Sequence, residues 1–212
     1  MLYALIPVVS WEAPITERSL PAPGAAARLA RGLGAAEDAT LLGWASEGDR
    51  RAFDELAARH LPMLYRVALR ITGQPAEAEE VAQEAMLRLW QHAARFDPEQ
   101  GRLSTWLHRI VANLAIDRMR RARTAPLQVA EMVPDPNPGP EAAVEERQRR
   151  ARLTAALEEL PPRQRAALAL SYDQGLSGAE AAAALSVSTR ALEGLLRRAR
   201  RFLSARLHGE GG

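Results

Sequence analysis

The sequence predicts an all-α protein: two small helical domains joined by a Pro-rich flexible linker, the second a helix-turn-helix domain. Three observations carry this expectation. Apolar residues make up 47% of the 212 positions but aromatics only 5%, and alanine abounds, which suits helices packed through small aliphatic side chains. Apolar positions recur near helical spacing in several segments bounded by capping residues, proline or glycine. Between Thr124 and Glu141, Pro134, Pro136, Pro138 and Pro140 alternate with Asp135, Asn137 and Gly139. Such a stretch has few backbone donors and buries little, so it reads as an extended, protease-sensitive linker.

The expected organisation is an extension over 1–36, a first domain over 37–123, the linker over 124–143, a second domain over 144–207 and a short tail. The extension contains Pro7, Pro14, Pro21 and Pro23 without sustained periodicity. It reads as a mostly disordered segment or as the product of an upstream-assigned start codon. Asp49 is placed to cap a helix carrying Phe53, Leu56, Leu64, Val67 and Ala68 and ending at Thr72-Gly73, with Pro62 interrupting the run and kinking it. A second helix begins at Pro75, a favoured first-turn position, and runs to about Arg95. Phe96–Gly101 reads as a loop, and a third helix runs from near Ser104 into Arg118–Arg123.

In the second domain a charged helix covers about Glu141–Leu160 and stops at Pro161-Pro162; another covers Arg163–Tyr172, with Gly175 ending it. Ser177 and Glu180 have capping-box spacing for a short helix, and Ser188 can cap a last helix through Leu207. Ser186 stands at the turn where glycine is usual, because the chain enters a left-handed conformation there.

Several function classes are excluded. There is no cysteine, hence no disulfide or thiolate metal site, and His60, His92, His108 and His208 share no ligand-like spacing. No nucleophile–base pair or phosphate-cradling glycine loop is visible, so neither an enzyme nor a cofactor is expected. No apolar run is long enough to span a membrane, and Leu2–Val9 is a poor signal peptide, which leaves the cytoplasm. All 28 basic residues are arginine, so the pI is 9.6 at a net charge of only +2.

Three patterns point to binding. Residues 176–203 form a helix, tight turn and helix, the unit that places its second helix in a DNA major groove. Leu185, Val187, Leu192 and Leu195 can form its core around small Ala182, while Arg197, Arg198, Arg200 and Arg201 make a cationic strip. Basic residues near a helix C-terminus are also favoured by the dipole alone, so the strip gains its meaning from the turn motif before it. The third helix of the first domain has a core stripe of Leu107, Ile110, Val111 and Leu114. On another side Arg109 and Asn113 lie one turn apart, ahead of Asp117, Arg118, Arg120, Arg121 and Arg123. Alone, that helix reads better as an ordinary amphipathic one with a solvated side. The helix from Pro75 is acidic, with Glu77, Glu79, Glu80 and Glu84. Glu80, Gln83, Glu84 and Leu87 share a side, a mixture that suits a protein partner better than DNA. A dipole-stabilised acidic N-terminal half is the competing reading.

The run Ala78–Trp90 resembles the core-binding segment of extracytoplasmic-function (ECF) sigma factors. Leu103–Arg118 resembles that family's −10-reading segment, and Leu157–Arg165 its entry into the −35-reading domain. The resemblance covers roughly 38–123 and 145–207 in matching order and spacing. It implies a non-enzymatic alternative sigma factor that directs RNA polymerase to particular promoters. Glu80, Gln83, Glu84 and Leu87 would bind the core enzyme, whose β′ clamp helices and β flap are the implied contacts. Phe96, Arg102, Arg109, Asn113, Arg118, Arg120 and Arg121 would serve the −10 element, with an exposed base held by the Phe96–Leu103 loop. Ser188, Thr189, Arg190, Glu193, Arg197 and Arg198 would read the −35 duplex. An anti-sigma factor is a further implied partner. Two departures stand out: Glu193-Gly194-Leu195 where many relatives carry a Ser-Arg tract, and Ser186 for the turn glycine. Glu193 could accept from a cytosine amino group. Trp106 falls at a core spacing and reads as packing rather than as a base stack. The rivals are a stand-alone helix-turn-helix regulator, which would bind duplex DNA tightly without polymerase, and an all-helical enzyme.

Overall fold

The computed structural model describes residues 32–124 and 141–208. The expected extension (apart from its last residues), the central linker and the extreme C-terminus lie outside the described residues. A single 3-10 turn, Leu33–Ala35, precedes the compact unit Glu37–Gly212. Among the described residues of that unit the regular elements are all helical.

Helix α1 (Asp38–Ser46) packs on α2 (Arg50–Thr72). The Asp49 side chain accepts from Arg51 and Ala52 N–H at 3.0 and 3.3 Å, satisfying two of the donors that every helix start leaves open. Asp38 pins α1 to α2 through His60 Nε2 at 2.7 Å and Arg59 at 3.1 Å. The expected interruption at Pro62 does not occur, and α2 continues through it. Pro62 and Ala58, whose carbonyl loses its partner, both lie on the exposed side, where the missing bond is open to solvent. Gly73, at φ +77°, ends α2 by returning its N–H to Leu69 O at 2.8 Å.

Pro75 opens α3 (Pro75–His92), followed by a 3-10 turn at Ala93–Arg95. The expected loop contains a second 3-10 turn, Pro98–Gln100, capped by Asp97. Helix α4 (Leu103–Thr124) completes the group. Leu41, Leu56, Leu64, Val67, Ile71, Leu89, Leu107 and Val111 are fully buried among these four helices. Each buried side chain of this kind contributes about 1.5–3 kcal/mol of transfer free energy.

The C-terminal group comprises α5 (Glu141–Glu159), α6 (Pro162–Leu168), α7 (Gly178–Ala184) and α8 (Thr189–His208). The helix expected over Arg163–Tyr172 changes register: α6 passes into a π-helical turn at Ala169–Asp173, and Gly175 (φ +63°) follows. Leu160, Leu170 and Leu192 are fully buried, and Ala166, Ala167, Ala181, Ala182, Ala184 and Ala199 are buried as well.

The helices on either side of the central segment also pack on each other, α2 and α4 against α6 and α4 against α7. His108 of α4 is buried at this contact. Its Nδ1 donates to Ser104 O at 2.6 Å; the Gln174 side chain faces the ring, but Nε2 makes no hydrogen bond. Burial, opposed in part by the Ser104 bond, holds the His108 pKa below the usual imidazole value, so the ring is neutral there.

Candidate nucleic-acid interface

The helix-turn-helix is built from local hydrogen bonds that its sequence dictates. The Ser177 hydroxyl accepts from Glu180 N–H at 3.3 Å while the Glu180 carboxylate accepts from Ser177 N–H at 3.0 Å, closing the capping box on α7. The Ser177 hydroxyl also donates to that carboxylate at 2.7 Å, and this bond, with the one from Ser177 N–H, holds the Glu180 carboxyl below the usual carboxylate range. Ser186 adopts φ +55°, and Val187 N–H reaches Ala182 O at 3.0 Å, so the chain reverses within three residues. The Ser188 hydroxyl then accepts from Ala191 N–H at 3.2 Å and starts α8.

Leu192 and Ala199 anchor α8 on its buried side, with Val187 and Leu195 half-buried. The opposite side is exposed. Arg190, Glu193, Arg197, Arg198 and Arg201 fall within an arc of about 140° at helical periodicity, and all are exposed, as are Ser188 and Thr189. Gly194 lies inside that arc, and a Cβ there would stand 3.4 Å from Arg198 Nη1, so the guanidinium lies against the helix surface. Four guanidinium groups and one carboxylate on a solvent-facing helix suit phosphates and base edges.

In the N-terminal group, Arg109 and Arg120 are exposed and Asn113 half-buried on one side of α4, with Arg102 exposed just before the helix. Arg118 departs from this set. It stands about 180° from Arg109 around the helix and is tied to α3: Nη2 bonds Glu77 Oε1 at 3.2 Å, and Nε and Nη2 also pair with Glu77 and Glu80. The Glu77 bond raises the Arg118 pKa above its usual value. Arg118 and Arg121 line a cleft between α3 and α4 with Glu80, Glu84 and Leu114. The structure thus brings Arg102, Arg109, Asn113 and Arg120 together and turns Arg118 and Arg121 towards the acidic helix. Arg118→Ala should lower stability by only about 0.5–1 kcal/mol, since the pair is partly exposed, and the Arg118→Glu/Glu77→Arg swap should recover most of it. Thermal melts of the unsubstituted chain, Arg118→Ala and the swap check this coupling.

Phe96 and Trp106 are both half-buried and pack with centroids 5.9 Å apart. On α3, Glu80 and Gln83 are exposed, Glu84 pairs with Arg88 at 2.9 Å, and Leu87 is 46% exposed. Trp90, three residues on, is 40% exposed with its ring edge-to-face on Phe53 at 4.9 Å. The helical step from Leu87 marks Trp90 as part of the same surface, a signal its place in the motif had hidden.

Comparison with known proteins speaks to the family of the chain. Residues 56–124 match the Sigma-70 region 2 family and residues 150–203 the Sigma-70 region 4 family. The ECF RNA polymerase sigma factor SigM of Mycobacterium tuberculosis is 40% identical over 81% of this chain and 85% of its own length. The RNA polymerase sigma factor CnrH of Cupriavidus metallidurans is 34% identical over 82% of this chain and 95% of its own. The ECF sigma factor SigE of Mycolicibacterium smegmatis is 34% identical, the match spanning 63% of its length. Among solved structures, CnrH in complex with the cytosolic domain of CnrY is similar at a TM-score of 0.60 and 30% identity, covering 82% of this chain and 99% of that one. RpoE of Bartonella quintana in complex with the anti-sigma factor NepR shares the fold at a TM-score of 0.57. The two helical groups, one ending in a basic helix and one in a helix-turn-helix, are those of a sigma factor. The chain belongs to the ECF sigma factors, alternative sigma factors that direct transcription initiation at particular promoters.

Proposed function

We propose that the two groups divide the work of promoter recognition along the surfaces described above. The exposed side of α3 (Glu80, Gln83, Glu84 and Leu87, extended by Trp90) docks on core RNA polymerase. Arg102, Arg109, Asn113 and Arg120 contact the −10 element as it melts, and Phe96 with its 3-10 turn flanks the extruded base. Flipping a base costs a few kcal/mol, which a stacked and hydrogen-bonded site recovers. Ser188, Thr189, Arg190, Glu193, Arg197 and Arg198 read the −35 duplex. Arg118 and Arg121 serve first to hold α4 against α3, so that the polymerase-docking and −10-reading helices move as one body.

The exposed arc of α8 behind a closed helix-turn-helix is the observation that carries this reading. No catalytic step belongs to it; the chain acts by positioning polymerase. A cytoplasmic site of action follows from that role; among the described residues no helix is long and apolar enough to cross a membrane. An anti-sigma factor is the natural second partner, as CnrH is recorded with the cytosolic domain of CnrY.

Core polymerase mixed with the chain should give discrete runoff products from a genomic fragment library, and neither component alone should do so. Tight, sequence-specific duplex binding by the chain without polymerase would instead identify a stand-alone regulator.

A further inference from the structure

Glycine is, after proline, the least favoured residue inside a helix, because it has the most freedom to lose and leaves the backbone bare. Gly194 nevertheless stands in the second turn of α8. The ordinary reasons for a glycine are absent there. Its backbone is helical, without the positive φ of Gly73 or Gly175. It ends no helix, since α8 continues to His208. Nor does a packed neighbour exclude a side chain: among the described residues an added Cβ would meet only Arg198 Nη1, at 3.4 Å, the far end of a flexible side chain. Folding alone gives no reason for this residue.

Its surroundings do. Arg190 precedes Gly194 by one turn, Arg197 and Arg198 follow it by one turn, and Glu193 adjoins it; all four are exposed. The Arg198 guanidinium lies back over Gly194, towards the N-terminal end of α8, which is the end a helix-turn-helix presents to base edges. Space in a duplex is tight. A helix with its side chains is about 10–12 Å across, and the major groove is about 12 Å wide. A missing side chain in the middle of the inward face lets the helix axis sit deeper, and the flanking arginines draw it in through the phosphates. Resting on the reading that α8 contacts the −35 element, we propose that Gly194 is a specificity-determining residue. Its bare backbone is the point where α8 comes closest to the bases, and it sets the depth at which Arg190 and Glu193 read them. Any side chain at this position holds the helix away from the bases. The arginines, being long and flexible, still reach the phosphates, so sequence discrimination is lost before electrostatic affinity.

Gly194→Ala and Gly194→Leu test this beside Gly43→Ala, a control at an exposed glycine inside α1 where an added Cβ meets nothing within 4 Å. Both alanine variants should raise the melting temperature, by about 1–4 °C, as glycine leaves a helix interior. Holoenzyme made with each form is titrated with a template found in the library screen and with the same template carrying a scrambled −35 element. The ratio of the two affinities should fall at least fivefold for Gly194→Ala and further for Gly194→Leu. Affinity for the scrambled template and its salt slope should stay unchanged, and Gly43→Ala should keep the unsubstituted ratio. A ratio for Gly194→Ala within twofold of the unsubstituted one overturns the proposal. So does an equal loss on both templates with a flatter salt slope, which would make Gly194 a support for the Arg198 phosphate contact. An unsubstituted holoenzyme that does not distinguish the two templates fails the α8 assignment instead, so the two failures are distinct.

Discussion

Leu87→Arg should weaken binding of core RNA polymerase by at least about tenfold while leaving the melting temperature nearly unchanged. Leu87 is 46% exposed in the free chain, so the fold derives little from it and a partner can still bury most of it. Burying a leucine contributes about 1.5–3 kcal/mol, and each 1.4 kcal/mol is about a factor of ten in affinity. The arginine forfeits that contribution and adds the cost of desolvating a charge. Gln83→Ala with Glu84→Arg should act in the same direction, although this pair also loses the ion pair to Arg88 and gains a like-charge repulsion worth a few tenths of a kcal/mol. The check is an anisotropy titration of labelled chain with core polymerase, beside a thermal melt. Unchanged affinity in the Leu87 variant would remove α3 from the polymerase interface.

Asn113→Ala and the α8 arginines should fail in different assays, and the contrast separates a sigma factor from a simple duplex-binding regulator. In the holoenzyme, Asn113→Ala should leave closed-duplex binding near the unsubstituted level yet reduce strand opening roughly ten- to a hundredfold, the worth of one good base contact. Asn113 is half-buried beside exposed Arg109, and its proposed partner is a base available only once the −10 element has melted. Arg197→Ala or Arg198→Ala should weaken duplex binding across sequences and flatten its salt dependence by about one unit of slope per lost phosphate contact. Permanganate footprinting and gel shift on linear and pre-melted templates measure both. Rescue of Asn113→Ala by the pre-melted template supports a role in melting. Equal loss on the two templates would make Asn113 a duplex or packing contact and remove it from the melting step.

Much of the fold was legible because its signals are local. Asp49, Ser177 with Glu180, and Ser188 cap the helices their spacing announces, and Ser186 takes the left-handed turn expected of it. Capping and turn chemistry involve groups at most a few residues apart, so a one-dimensional reading reaches them. The same reading placed the exposed side of α8, because a strong helical period divides Leu192 and Ala199 from the arginines whatever the helix packs on. It failed where a local preference met a permissive environment. Pro62 did not break α2 because its unbonded carbonyl partner faces solvent. The π turn at Ala169–Asp173 was invisible, since an inserted register shift leaves composition unchanged.

The sequence by itself determined the helices, their caps, the helix-turn-helix and the family, all properties of short segments and of their order. Only the tertiary structure decided what each charge does. Arg118 and Arg109 sit nine residues apart in one basic helix, yet one is clasped by Glu77 and Glu80 while the other faces solvent. Arg165, two residues after another arginine, is buried on the Ile71 carbonyl 94 residues away. An arginine's side chain is long enough to serve a phosphate, a carboxylate or a helix end, and its own neighbours in sequence do not choose among them. The choice falls to whatever acceptor the packed fold brings within about 3 Å.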